Sequence, residues 1–232
     1  MASHKLQITA LILAFFSSST FANAGPSTVS ISYLGLSSDA LEKAGASRLP
    51  EFSQRATQAG DSFGQPAAIS GGSPKDPKGL AFSFRHEFDN TWGVIVEGGY
   101  ATDDGTMSYR MQKQLPDQTT SVASGKLDVT GNFAFLGAGP TLRFNDVISI
   151  YAMATGNYKT IKYDENHIRT RDSASEGYSN TFSASQDKFD VGYAVGAQFN
   201  VYHGLVIDAS YAMLGSGDWK ASGFTVGVGY NF

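Results

Sequence analysis

The sequence predicts an all-β protein, an eight-stranded antiparallel transmembrane β-barrel with long extracellular loops and short periplasmic turns. Three observations predict it. Apolar residues alternate with polar or small ones in eight separate stretches of about ten residues, the period of a strand with one apolar face. Turns of two to four residues and polar segments at 38–78, 102–126, 160–187 and 214–222 alternate between these stretches, the asymmetry of a barrel that crosses a bilayer. The last stretch, Gly223 to Phe232, reads GFTVGVGYNF, with Phe224, Val226, Val228, Tyr230 and Phe232 on one side. Such an apolar strand needs a partner along its edge, and pairing with the first strand closes the sheet.

Residues 1–24 carry Lys5, an apolar run from Ile8 to Phe16, and Ala22 and Ala24 flanking Asn23. That is the pattern of a secretory signal peptide, with cleavage expected after Ala24. The run is about half of the roughly 20 apolar residues a membrane helix needs. The barrel is therefore assigned to residues 25–232. Without Lys5, 16 basic residues remain against 21 acidic ones, so no basic surface for nucleic acid is indicated. The absence of cysteine excludes a disulfide framework and any thiolate site, and the many Gly, Tyr and Phe residues suit alternating strands.

The elements follow in order. Val29, Ile31 and Tyr33 alternate with Thr28, Ser30 and Ser32 in the first strand, near 27–37. Segment 38–78 is rich in Ser, Gly, Pro and Ala without a sustained period and reads as a long loop, with short helices at Asp39 to Ala44 and Pro50 to Ala59. Leu80, Phe82, Phe84, His86 and Phe88 share one face of the second strand, and the chain returns from Trp92 to Ala101 after a turn at Asp89 to Thr91. Loop 102–126 contains an alternating stretch from Met107 to Leu115, which suits a hairpin projecting beyond the membrane. Strands follow at 127–144 and 147–159, joined by Asn145 and Asp146. The polar loop 160–187 leads to 188–200, then 205–213 and the final strand.

Parity assigns the side chains. Arg85, Glu87, Glu97, Arg143, Asp190 and Asp208 all fall on the inward side, where a lumen just wide enough for side chains favours a paired polar network over a conducting pore. Phe88, Trp92, Tyr100, Phe144, Phe199, Tyr230 and Phe232 fall outward at the strand ends, as an interfacial aromatic girdle. In the loops, Arg169 and Arg171 share one side of an extended segment and read either as a solvated charge pair or as contacts for phosphates or anionic glycans, including lipopolysaccharide. Phe52, Phe63, Tyr109, Tyr178 and Phe182 are aromatic candidates for partner contact. The acidic pair Asp164 and Glu165 lacks the spacing of a calcium loop and reads as solvated surface. His167 lies in a polar loop without a positioned partner, and His86 and His203 fall near the short turns, so no catalytic, metal or cofactor site is assigned.

The blocks STVSISYLGLSSDA, GLAFSFRHEF, WGVIVEGGY, LGAGPTLRFNDVISIYAMATGNYK, VGAQFNVYHGLVIDASYAM and GFTVGVGYNF resemble, in this order, the Ail/Lom/OmpX family of eight-stranded bacterial outer-membrane proteins. AGPTLRFND at 138–146 is the most specific of them. The resemblance implies an outer-membrane location with loops at the cell surface, acting in adhesion, host-cell entry or serum resistance. It also implies a C-terminal strand read by the barrel-insertion machinery, with membrane lipid and host or matrix ligands as the other partners. The alternatives are a structural outer-membrane protein without adhesive role and, more remotely, a lipid-modifying enzyme.

Overall fold

The computed structural model describes residues 25–171 and 178–232, so the signal peptide expected at 1–24 lies outside the described residues. Eight long strands form one closed antiparallel sheet. They are β1 (Ser27–Ser38), β2 (Lys78–Glu87), β3 (Trp92–Gln114), β4 (Thr120–Arg143), β5 (Ile148–Arg171), β6 (Tyr178–Tyr202), β7 (Leu205–Leu214) and β8 (Ala221–Asn231). The ring closes where β1 meets β8, from Thr28 opposite Asn231 to Ser38 opposite Ala221. Ser27 and Phe232 complete it by exchanging two backbone hydrogen bonds of 2.8 Å. In lipid no water can satisfy an open edge, so only a closed sheet is stable there.

The cross-strand partners fix the geometry of the ring. From Gly93 they lead through Thr141, Tyr151, Gly196, Ser210, Thr225, Leu34 and Gly79 to Ala101, eight residues further along the strand of origin. Eight strands with a shear of eight tilt by about 36°. Each residue then climbs roughly 2.7 Å, and about ten residues cross the apolar band.

β1, β2, β7 and β8 have 10 to 12 residues and match that span. β3 to β6 have 23 to 25. The excess carries four strands roughly 35 Å beyond the membrane as half of a barrel wall, a tower. Segment 102–126 forms the projecting hairpin that the alternation at Met107 to Leu115 suits, whereas 160–187, expected as a polar loop, is mostly strand among the described residues. Residues 115–119 turn between β3 and β4, where Gln118 accepts a positive φ.

Segment 38–78, expected as a loop with two short helices, instead forms one helix of 25 residues, α1 (Asp39–Phe63). Ser38 caps its start, its hydroxyl accepting from the Leu41 amide at 3.4 Å, while Asp39 and Glu42 complement the dipole. Gly64, at φ 67°, ends it in the left-handed conformation. Pro50 lies inside the helix and lacks the N–H that would bond the Ala46 carbonyl. Continuity survives because Leu41, Ala44, Phe52, Ala56 and Phe63 bury one stripe against the concave face of the tower. Gly131 on β4 permits the approach, since a Cβ there would sit 2.7 Å from the Leu41 methyls.

Two environments therefore stack along the barrel axis. Within the membrane the wall is apolar outside, with Phe82, Leu136, Val191, Val195, Val226 and Val228 exposed to lipid, while the lumen is polar. Above it the order inverts, and an apolar core forms inside the tower from α1, Met107, Tyr109, Leu127, Val129, Phe133 and Ile161. Val195 is half exposed on the lipid side, whereas Gln198 is 1 % exposed and donates to Asp208 in the lumen. Val195→Arg is expected to lower folding yield in lipid vesicles, at a cost of about 2–4 kcal/mol, and Gln198→Arg to fold nearly normally. Heat-modifiable gel shifts check this; equal yields would contradict the assigned faces.

Candidate functional site

The lumen is organised by charge. Near the periplasmic end the Glu87 carboxylate accepts from Arg143 at 2.8 Å and forms an ion pair with Arg85 at 3.2 Å, and Arg85 donates to Thr28. Arg143 reaches Asp146 in the turn at 3.0 Å. Further in, Asp208 accepts from the Tyr151 hydroxyl at 2.7 Å and from Gln198, and Glu97 is buried in the lumen on β3. At the outer end Lys159 donates to Asp190 at 2.9 Å and to the Leu214 and Trp219 carbonyls. Lys159 was missing from the sequence-based network, although its odd parity matches Tyr151, Met153 and Asn157. Buried charges are costly unless paired, and the bonds from Arg143 to Glu87, from Tyr151 and Gln198 to Asp208 and from Lys159 to Asp190 join separate strands inside the lumen.

On the outer wall, Phe88, Trp92, Phe144, Phe199, Tyr230 and Phe232 are exposed at the periplasmic ends of the strands. Tyr100 is exposed at the opposite boundary, its hydroxyl donating to Asn132 at 2.6 Å. Such rings suit the two interfaces of a bilayer.

The tower is centred on Phe52, fully buried between α1 and the strands. Its ring centroid lies 5.5 Å from that of Tyr109 and 5.7 Å from that of His167. The Tyr109 hydroxyl lies 3.0 Å from His167 Nδ1, and His167 Nε2 lies 2.5 Å from Glu165. With the proton on Nε2, His167 donates to the carboxylate and accepts from Tyr109, which satisfies all three groups. Burial pushes the Tyr109 hydroxyl above its ordinary value, so it remains a donor. Arg55 of α1 adds a longer contact of 3.8 Å to Glu165.

Phe52, Phe63 and Tyr109, expected as exposed partner contacts, are thus core residues, and Glu165, expected as solvated surface, is 3 % exposed. The physical reason is shared: α1 supplies the cover that a disordered loop would not. Tyr163, Glu165 and His167 stand two apart on one strand face, a spacing from which their common burial could have been read. Arg169 is exposed and lies over the Phe63 ring at 5.4 Å. Arg171 and Tyr178 end β5 and begin β6, and their side chains lie outside the described residues.

At the rim, Arg48 of α1 stacks on Tyr163 at 5.3 Å and on Phe182 at 4.9 Å, both within cation–π range. Phe182 remains 42 % exposed. Lys43 binds Asp218 at 3.0 Å, joining α1 to the short turn of Gly217–Trp219, and Asp103 accepts from the Lys75 and Asp76 amides. These contacts fasten α1 to the turn after β7 and the segment before β2 to β3.

Comparison with known proteins agrees with this architecture. The model of the enterobacterial Ail/Lom protein family matches residues 44–232. The chain belongs to that family. The attachment invasion locus protein of Yersinia pseudotuberculosis is 31 % identical over 160 residues, covering 68 % of this chain and 73 % of that one. The outer membrane protein Lom of Escherichia phage lambda is 28 % identical over 165 residues, covering 67 % and 73 %. Among solved structures, Ail of Yersinia pestis in complex with the heparin analogue sucrose octasulfate aligns over 90 % of this chain and 99 % of its own. Its TM-score is 0.51 at 23 % identity, a likeness of fold. The chain is accordingly an outer-membrane barrel of the Ail/Lom family with its tower at the cell surface.

Phe52→Ala should cost about 3–5 kcal/mol, as large-to-small changes in cores do, and the loss should fall on α1 rather than on the closed ring. Protease treatment of intact cells should then cut within 39–63 while the remaining barrel keeps its heat-modifiable mobility. Cleavage no faster than in the unsubstituted chain would mean that Phe52 does not seat the helix.

Proposed function

We propose that this barrel is an attachment protein whose binding surface is the rim of the tower, where α1 meets β5 and β6. The observation that carries the reading is Arg48, whose guanidinium is ordered by Tyr163 and Phe182 while Phe182 stays open to solvent. An ordered cation beside an exposed ring binds at low entropic cost, and Arg and aromatic residues dominate interface hot spots. Arg55, 42 % exposed on the same helix, and exposed Leu49 extend the surface. The names of the attachment invasion locus relatives support the reading. The outward aromatic belt contacts membrane lipid and lipopolysaccharide, and the terminal strand ending at Phe232 is presented to the insertion machinery. No catalytic step is assigned, because both ring nitrogens of His167 are occupied beneath Phe52.

The solved neighbour holds a sulfated ligand, so immobilised heparin and cultured mammalian epithelial cells are the first probes. Non-adherent bacteria displaying the chain should bind, and Arg48→Ala with Phe182→Ala should reduce binding by about tenfold or more at equal surface abundance. Undiminished binding by the double variant would place the surface elsewhere. No binding by the unsubstituted chain to either probe would favour a purely structural role.

A further inference from the structure

One buried cluster of titratable groups lies above the membrane, directly under α1. Tyr109 of β3 and Glu165 and His167 of β5 are all buried there. Phe52 covers them, and Gly125 of β4 makes room on the other side, since a Cβ there would stand 2.8 Å from His167 Nδ1. Few charged groups face the ring. Glu165 meets Nε2, the Tyr109 hydroxyl meets Nδ1, and Arg55 of α1 stands 3.8 Å from the Glu165 carboxylate. Arg169, next on the same face of β5, lies over Phe63 at 5.4 Å, and the cross-strand partners of His167, Gly125 of β4 and Asn180 of β6, do not titrate.

With a single proton on the imidazole the cluster is balanced. Nε2 donates to Glu165, Nδ1 accepts from Tyr109, and one carboxylate stands beside one guanidinium. A second ring proton undoes both balances. Nδ1 becomes a donor, so the Tyr109 hydroxyl, kept protonated by burial, loses the acceptor for its hydrogen. The same proton leaves one carboxylate between two cations, and wherever it settles among the three groups the closed site holds an uncompensated charge beneath an apolar ring. Lifting α1 removes that penalty, because water then reaches the imidazole, the hydroxyl and the Arg55 guanidinium. The open arrangement therefore takes up the proton more readily than the closed one. By linkage, the seating of α1 is favoured at neutral pH and weakened as pH falls.

We propose that Tyr109, His167 and Glu165 form a proton-operated latch, which seats α1 at neutral pH and releases it when the medium outside the cell turns acidic. Histidine is the side chain that ordinarily changes charge in this range, and the tower stands where it meets the external medium. Release takes the rim with it. Arg48 precedes Phe52 by one turn of α1, so lifting Phe52 withdraws the guanidinium from Tyr163 and Phe182 and disperses the ordered surface. That consequence, loss of attachment in acid, rests on the attachment reading; the latch itself does not.

The test follows the helix and not binding, so its failure is distinct from failure of the attachment reading. In the full mature chain refolded in phospholipid vesicles, Ala56→Cys and Gln58→Cys are each labelled with a membrane-impermeant maleimide, one position being buried and the other exposed on α1. Taking the ratio of the two rates cancels the pH dependence of thiol chemistry. From about pH 7.5 to about pH 5.5 the rate at position 56 relative to position 58 should rise by roughly tenfold, within the limit of about tenfold per pH unit that one proton allows. His167→Gln, uncharged throughout, should hold the ratio constant. Arg55→Gln decides the matter if His167→Gln already unseats the helix at neutral pH: the Arg55 side chain is half-exposed, so its loss leaves the fold intact. Without that cation Glu165 balances the imidazolium, and the rise should shrink to about threefold or less. A ratio that does not change with pH when His167 and Arg55 are both present, a full rise in a seated His167→Gln, or a full rise in Arg55→Gln would each overturn the proposal.

Discussion

Backbone hydrogen bonding in lipid is the constraint from which the structure follows. A strand that crosses a bilayer must find partners on both sides, so β1 and β8 join and the sheet closes with a shear of eight. Closure fixes which residues face inward. The lumen is then too narrow for anything but side chains, and Glu87 between Arg85 and Arg143, Asp208 beneath Tyr151, and Lys159 with Asp190 fill it in pairs. Small residues on β8, Gly227 and Gly229, face Ser32 and Ser30 of β1 and leave room for that traffic of charges.

The constraint lapses above the membrane, where water satisfies an open edge. Only four strands continue, and half a barrel in water would expose its concave face. Here α1 replaces the missing half, exchanging a polar lumen for an apolar core around Phe52. The same helix carries Arg48 to the rim and draws Asp218 inward through Lys43, so the seating of one helix sets the shape of the outer surface. Tyr109, His167 and Glu165 lock it through two hydrogen bonds, with Arg55 of α1 beside the carboxylate.

The eight spans were legible because lipid enforces a strict alternation, clearest in Phe189, Val191, Tyr193, Val195 and Ala197. The inward charges followed from the same parity. Of the tower only the hairpin at Met107 to Leu115 was legible, because its strands are wetted outside and buried inside by α1; Ser, Thr and Asp on the outer face made 160–187 look like a loop. α1 was hidden for a different reason. Its buried stripe relies on Ala40, Ala44, Gly45, Ala56 and Gly60, which carry little apolar signal, and Pro50 reads as a helix start in mid-helix. Arg48 was invisible as a site because its partner Phe182 is supplied by a distant segment, and Lys159 carried only its inward parity, since the Leu214 carbonyl that it meets is equally distant.

The seating of α1 can be measured directly because the chain contains no cysteine. Ala56→Cys and Gln58→Cys each introduce one thiol, at a fully buried and an exposed position of the same helix. On intact cells, a membrane-impermeant maleimide should modify position 58 rapidly and position 56 about 100-fold more slowly, the ratio expected if reaction requires local opening of a few kcal/mol. Comparable rates at the two positions would mean that the helix lies free at the surface and that the tower has no core.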